Sequence, residues 1–226
     1  MNSSTNRNHL LELRKHRILP YIGLPDDDEY MISWFISRAC NFRCDYCLFA
    51  SNVSSNQVTK TGAYSPQHIA SSFNNTGRKF LILLSGGEPF LYPHFIELCS
   101  LLTENHRISI MSNFSSSNVY DFAERIDPAR VCGIYVGLHL PERKKIANGV
   151  MDFIDRVKYF QNKGFTIRVE YVTYPPFFFR IKEDIGLLME KGIKTVDVKI
   201  FRGKFNNKLY PYSYSIKERN LIEEFA

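Results

Sequence analysis

At 226 residues, with 44% hydrophobic and 23% charged positions, the chain has the size and balance of one globular domain with a full core, and not those of a disordered or fibrous protein. Its formal net charge of +6 is scattered over short clusters (Arg14 to Arg17, Arg143 to Lys145, Arg202 to Lys208) that read as solvated surface, so no nucleic-acid partner is expected. The mid-chain aliphatic run Phe80 to Leu84 is far too short for a membrane span, and Met1 to Asn8 lacks the apolar core of a secretion signal. A cytoplasmic protein with reduced thiols is the expectation.

Residues 1–30 are polar, with a short amphipathic piece from His9 to Ile18 and a turn-rich stretch to Asp28; they read as an arm over one end of a domain spanning 31–226. Met31 to Arg38 is the first strand, followed by a cysteine-bearing loop and a Ser/Asn-rich link to Gly62. Ser65-Pro66 opens a helix with Ser as cap and Pro at the first helical position, running to about Asn75. Phe80 to Ser85 is the second strand, and Pro93 opens a helix to Leu102. The alternation continues: strand Arg107 to Asn113, helix Asn118 to Ile126, strand Val131 to His139, helix Val150 to Asn162 closed by Gly164. Then come strand Phe165 to Tyr174, helix Glu183 to Glu190 closed by Gly192, strand Thr195 to Phe201, and a last helix from Ile216 behind the capping box Ser215-x-x-Glu218. Six strands alternating with six helices predict an α/β protein with a parallel sheet and right-handed crossovers.

The strand registers refine this. Cys132, Ile134, Val136 and Leu138 alternate with Gly133, Tyr135, Gly137 and His139; Ile167, Val169 and Tyr171 with Thr166, Arg168 and Glu170; Val196, Val198 and Ile200 with Asp197 and Lys199. The aliphatic registers suit packing on helices. The polar ones do not suit a filled barrel interior, and fit a curved, incomplete barrel whose concave side is a wet cavity. The alternative is ion pairing within the sheet, Arg168 with Glu170 and Asp197 with Lys199.

The chemistry lies between the first strand and the link. Cys40, Cys44 and Cys47 form a C-x3-C-x2-C loop, able to bring three thiolates to one zinc ion or iron–sulfur cluster. A structural zinc site draws a fourth Cys or His, and the remaining Cys99 and Cys132 sit in apolar periodic segments. Spacing, and Tyr46 just before the third cysteine, resemble the cluster loop of the radical S-adenosylmethionine (radical SAM) superfamily. Ser85-Gly86-Gly87-Glu88-Pro89 at the end of the second strand resembles that family's glycine-glycine-glutamate-proline motif. The likeness runs from about Met31 to Ala226 and extends to the SPASM/Twitch branch, although no cysteine follows Cys132 to supply that branch's C-terminal auxiliary clusters.

The resemblance implies a (β/α)6 partial barrel. It also implies Cys40, Cys44 and Cys47 as ligands of a [4Fe–4S] cluster, and S-adenosylmethionine chelated to the free iron. Gly86, Gly87, Glu88 and Pro89 would meet the cofactor's amino group; Phe42 and Tyr46 would lie by cluster and adenine; Ser112 and Asn113 would line the bound cofactor. Many relatives place a serine where this chain has Gly137, which leaves the cofactor's carboxylate and ribose contacts open. Arg168 and Glu170 are candidates for them by register. His139 is a candidate proton donor or substrate ligand, or a histidine hydrogen-bonded at a strand end; Lys199 is a second catalytic candidate. The activity implied is reductive cleavage of S-adenosylmethionine to a 5′-deoxyadenosyl radical that takes hydrogen from a small molecule or peptide. A flavodoxin- or ferredoxin-like protein would supply the electron. The alternative is a non-catalytic iron–sulfur electron carrier, sensor or accessory protein.

Overall fold

The computed structural model describes residues 26–47 and 64–225. The piece from His9 to Ile18 and the Ser/Asn-rich link lie outside the described residues. The main sheet holds β1 (Glu29–Ser37), β2 (Lys79–Gly86), β3 (Arg107–Ser112), β4 (Val131–Gly137), β5 (Ile167–Val172) and β6 (Val196–Lys199). All neighbours are parallel, in the order β1-β2-β3-β4-β5-β6. A strictly sequential order with right-handed crossovers puts every connecting helix on one face, so the sheet curls with its other face inward. The partial barrel expected from the alternation is the one found.

The helices are α1 (Pro66–Asn74), α2 (Phe95–Asn105), α3 (Val119–Arg125), α4 (Leu140–Arg143), α5 (Gly149–Asn162), α6 (Ile181–Glu190) and α7 (Ile216–Glu224). Local chemistry sets their ends. Ser65 Oγ accepts from His68 N with Pro66 in the first turn, and Ser215 and Glu218 close both bonds of a capping box. Gly164 and Gly192 follow α5 and α6 at φ 90° and 88°, a conformation that side-chain-bearing residues resist. The core fills the space between helices and the aliphatic register. Ile82, Leu84, Ile108, Ile110, Ile134 and Val136 from the strands meet Leu98, Phe122, Phe153 and Phe160 from the helices, all with no exposed surface. Each such side chain contributes roughly 1.5–3 kcal/mol by leaving water.

Several boundaries differ from expectation, each for a local reason. β1 begins two residues early because Glu29 joins the sheet and accepts from Arg107 Nε at 2.8 Å. β4 stops at Gly137 because His139 turns left-handed, φ 43° and ψ 47°, and opens α4, which the sequence pattern did not suggest. Pro175–Arg180 forms a 3-10 helix leading into α6, so β5 is shorter than expected. An antiparallel hairpin, β7 (Gly203–Phe205) and β8 (Lys208–Tyr210), follows β6 where no strands were expected.

Candidate functional site

The site is built at the C-terminal edge of the sheet, where β1 runs into the cysteine loop and β2 into Gly-Gly-Glu-Pro. Gly87 N donates to Ser37 O and Glu88 N to Ala39 O, both at 2.7 Å, so the end of β2 is sewn to the residues just before Cys40. A Cβ on Gly86 would overlap the Ser37 carbonyl oxygen, and one on Gly87 that of Ala39; Gly86 also sits at φ 128°. The glycines thus serve a close approach between two strand ends.

Glu88 has no exposed surface. It accepts from Ser112 Oγ at 2.7 Å, Asn113 N at 2.6 Å and Phe90 N at 3.1 Å. Burial raises its pKa, and these donors, with Arg143 nearby, act against that rise. Its carboxylate therefore fastens β2 to β3. Asn113 carries the connection onward, its amide donating to Asn41 Oδ1 at 2.9 Å and to Cys40 Sγ at 3.6 Å.

Cys40 and Cys44 are partly buried and Cys47 is exposed. Burial pushes the Cys40 thiol up and the Cys44 thiol to about 12, with Glu142 adding to the rise at Cys44. Both stay protonated at neutral pH until a metal displaces the proton. Two N–H groups, Phe42 N at 3.4 Å and the Asn113 amide, point at Cys40 Sγ and favour its thiolate. As placed, no three His, Cys, Asp or Glu side chains among the described residues are gathered closely enough to hold a metal ion. The donor set itself, three thiols on one loop with N–H groups aimed at sulfur, fits an iron–sulfur cluster.

Residues 139–143 close over this loop. His139, partly buried, meets the Tyr46 hydroxyl at 2.8 Å through Nδ1; burial drives its pKa down to about 4, so the ring is neutral at pH 7. Glu142 Oε2 accepts from Arg43 N at 3.1 Å. Arg143 overturns the reading of its cluster as solvated surface: it is 2% exposed, stacked 3.9 Å from the Phe153 ring centre. Its guanidinium donates to the carbonyls of Leu138 at 2.5 Å, Gly137 at 3.0 Å and Asn113, the strand-end carbonyls of β3 and β4. Burial lowers its pKa to about 9, which leaves it charged. The sequence hides Glu142 and Arg143 because a Glu-Arg-Lys-Lys run is ordinarily exposed.

The structure thus brings Phe42, Tyr46, Ser112, Asn113, Glu88 and His139 together around the loop. Arg168 and Glu170 lie on the helix-free face, paired across to β6 and not along their own strand. Arg168 holds Asp197 at 2.7 and 3.0 Å, and Lys199 reaches Glu170 at 3.0 Å. Beside the loop, a cavity of about 240 Å³ is bordered by Tyr46, His139, Leu140, Tyr171, Pro176 and Phe177.

A sequentially ordered parallel partial barrel with a three-cysteine loop at its C-terminal edge defines a class of iron–sulfur α/β proteins. The family model described as the radical SAM superfamily matches residues 34–196, and the chain belongs to that superfamily. Membership makes S-adenosylmethionine and a [4Fe–4S] cluster its cofactors. Among solved structures, the chain is similar to Streptococcus suis SuiB bound to S-adenosylmethionine, at TM-score 0.60 and 18% identity over 98% of this chain and 50% of that one. It is also similar to anSMEcpe with bound AdoMet, at TM-score 0.62 and 17% identity over 86% and 60% of the two chains. SuiB bound to its precursor peptide SuiA gives TM-score 0.59 at 18% identity, over 98% and 49%. The chain therefore spans about half the length of these proteins. No curated protein sequence matches it significantly.

Proposed function

We propose that this chain is the catalytic core of an enzyme that abstracts hydrogen from an organic substrate, a small molecule or a peptide. The observation that carries the reading is the stitching of the cysteine loop to the Gly-Gly-Glu-Pro strand end by paired backbone bonds at the C-terminal edge of the sheet. Cys40, Cys44 and Cys47 would hold the cluster, which when bound supplies the electron for reductive cleavage of S-adenosylmethionine to methionine and a 5′-deoxyadenosyl radical. Asn113 and the backbone of Gly86 and Gly87 border the place for the cofactor's methionine end. The cavity walled by Tyr46, Pro176 and Phe177 suits the stacking of a flat aromatic base such as adenine. The helix-free face, with Arg168, Glu170, Asp197 and Lys199 on one side and Met111 and Phe35 on the other, would receive the substrate. SuiB, a structural neighbour captured with a peptide, supports keeping peptides among the candidates. The electron would come from a flavodoxin- or ferredoxin-like protein in the cytoplasm; among the described residues no helix is long and apolar enough to cross a membrane. Family membership favours this enzyme over an electron carrier.

The experiment is anaerobic iron–sulfur reconstitution followed by incubation with S-adenosylmethionine and dithionite. One cluster gives about four irons per chain, 5′-deoxyadenosine accumulates, and Cys44→Ala abolishes both. A fully loaded protein that forms no 5′-deoxyadenosine would be a carrier, and this proposal would fall.

A further inference from the structure

Gly137 and His139 explain each other. A Cβ on Gly137 would overlap Nε2 of the His139 imidazole, so that ring lies directly on the glycine. His139 takes a left-handed backbone, φ 43°, which few side-chain-bearing residues adopt. The turn folds its ring back over Gly137 and delivers Nδ1 to the Tyr46 hydroxyl at 2.8 Å. The imidazole then lies nearly parallel to the Tyr46 ring (24°, centres 6.0 Å apart) and edge-on to Phe42 at 6.0 Å.

This is the first of three ties between one short segment and one short loop. Glu142 takes the backbone N–H of Arg43, and the Arg143 guanidinium lies 5.4 Å from the Phe42 ring centre while holding the ends of β3 and β4. Residues 139, 142 and 143 thus grip residues 46, 43 and 42, and the gripped positions interleave with Cys40, Cys44 and Cys47. Within the Cys44–Cys47 half, the loop's own backbone adds the turn bond from Cys47 N to Cys44 O at 3.0 Å. Outside the loop, Tyr46 is held by its hydroxyl on His139 and by its ring against Tyr174, 5.2 Å between centres.

We propose that His139 is a positioning residue: through Tyr46 it sets the Cys44–Cys47 half of the cysteine loop, and position 137 is glycine in order to seat its ring. Gly137, His139 and Tyr46 then act as one unit, with the ring filling the space above position 137 that a larger residue would need. The inference rests on the reading of this loop as the cluster loop. The Nδ1 and ring face of His139 meet Tyr46 and Gly137, so this positioning task falls to the ring whether or not Nε2 also serves a substrate.

The test compares His139→Ala, His139→Gln, Tyr46→Phe, Gly137→Ala, and the doubles His139→Ala/Tyr46→Phe and Gly137→Ala/His139→Ala. Each apoprotein is melted. Each reconstituted protein is then assayed for irons per chain, for the rate at which a chelator strips iron, and for the electron paramagnetic resonance spectrum of the reduced cluster. The expected result is that His139→Ala, Tyr46→Phe and Gly137→Ala each lose iron about 5- to 10-fold faster and broaden the spectrum. Groups acting as one unit give non-additive doubles, so neither double should exceed its singles. His139→Gln, whose carboxamide oxygen can accept from Tyr46, should restore slow loss. Additive doubles, a Gly137→Ala protein with normal iron retention, or a His139→Gln no better than His139→Ala would each overturn the inference. So would loss of a cooperative melt in every His139 apoprotein, which would make the ring ordinary core. A wild-type chain that takes up no iron would instead sink the reading of the loop itself.

Discussion

Glu88 shows how a motif residue can work on the protein before it works on a ligand. Its two oxygens serve Ser112, Asn113 and Phe90, and none of its surface is exposed. A glutamine there keeps one acceptor oxygen but turns an N–H₂ toward groups that are themselves donors. Glu88→Gln should therefore destabilise the apoprotein by about 1–3 kcal/mol, the cost of leaving buried donors unpaired. Urea unfolding measures it. Unchanged stability with weakened S-adenosylmethionine affinity would show the carboxylate turned to the cofactor instead. Gly87 is a second residue-scale case. Because its Cβ would overlap the Ala39 carbonyl oxygen, Gly87→Ala should push the β2 end off the loop and cut reconstituted iron well below wild type, as an iron assay would reveal.

Between strands, the charged register resolves into a ladder. Arg168 and Lys199 are 29% and 34% exposed along their side chains, whereas their partners Asp197 and Glu170 are 9% and 11% exposed. The carboxylates are thus covered and the cations reach the helix-free space, an arrangement between a wet cavity and a dry ion-pair core. Burial raises the Glu170 pKa and Lys199 is the chief group opposing that rise. Lys199→Met strands Glu170. The full penalty for breaking a buried pair is about 3–5 kcal/mol, and one-third exposure of the lysine reduces it to about 1–2 kcal/mol. A fall in melting temperature of a few degrees is expected, larger at pH 8 than at pH 5, because the stranded carboxylate is charged at the higher pH and can take up a proton at the lower. A melting temperature unaffected by the substitution at both pH values would mean that the pair contributes nothing.

For the molecule as a whole, stability against acid has an identifiable term. His106 closes α2 with 2% of its surface exposed, both ring nitrogens lack a hydrogen-bond partner among the described residues, and the ring packs against Phe73 and Phe80. Burial, then Arg130, lowers its pKa below the ordinary 6.5. In the unfolded chain the same imidazole takes a proton at about 6.5. The unfolded state thus binds more protons below that pH, and this group's contribution to stability falls as pH falls through 6.5. His106→Leu removes both the penalty and the unpaired N–H. The variant should melt above wild type, by a margin that widens from about pH 8 to about pH 5. A margin independent of pH, read by calorimetry, would show that the ring is protonated in the folded state too.

The succession of strands and helices along the chain, and the helix ends, were legible because they are local. Periodicity, Ser65-Pro66, the Ser215-x-x-Glu218 box and the glycines after α5 and α6 act over a few residues, and the cysteine spacing and Gly-Gly-Glu-Pro are contiguous along the chain. The alternating registers of β4 to β6 also told correctly which side chains turn away from the helices. The partners on that face were not legible: Arg168 pairs with Asp197 and Glu170 with Lys199 diagonally across β5 and β6, a choice set by the register between the two strands, which puts Glu170 directly opposite Asp197. Nor was the burial of Arg143. A guanidinium is buried only where carbonyls converge on it, and those of Asn113, Gly137 and Leu138 come from two strand ends that meet only in the fold. The same holds for Gly137, whose lack of a side chain reads in sequence as a departure from relatives. It becomes a seat for His139 only once a left-handed turn, set by tertiary contacts with Tyr46, brings the ring back over it.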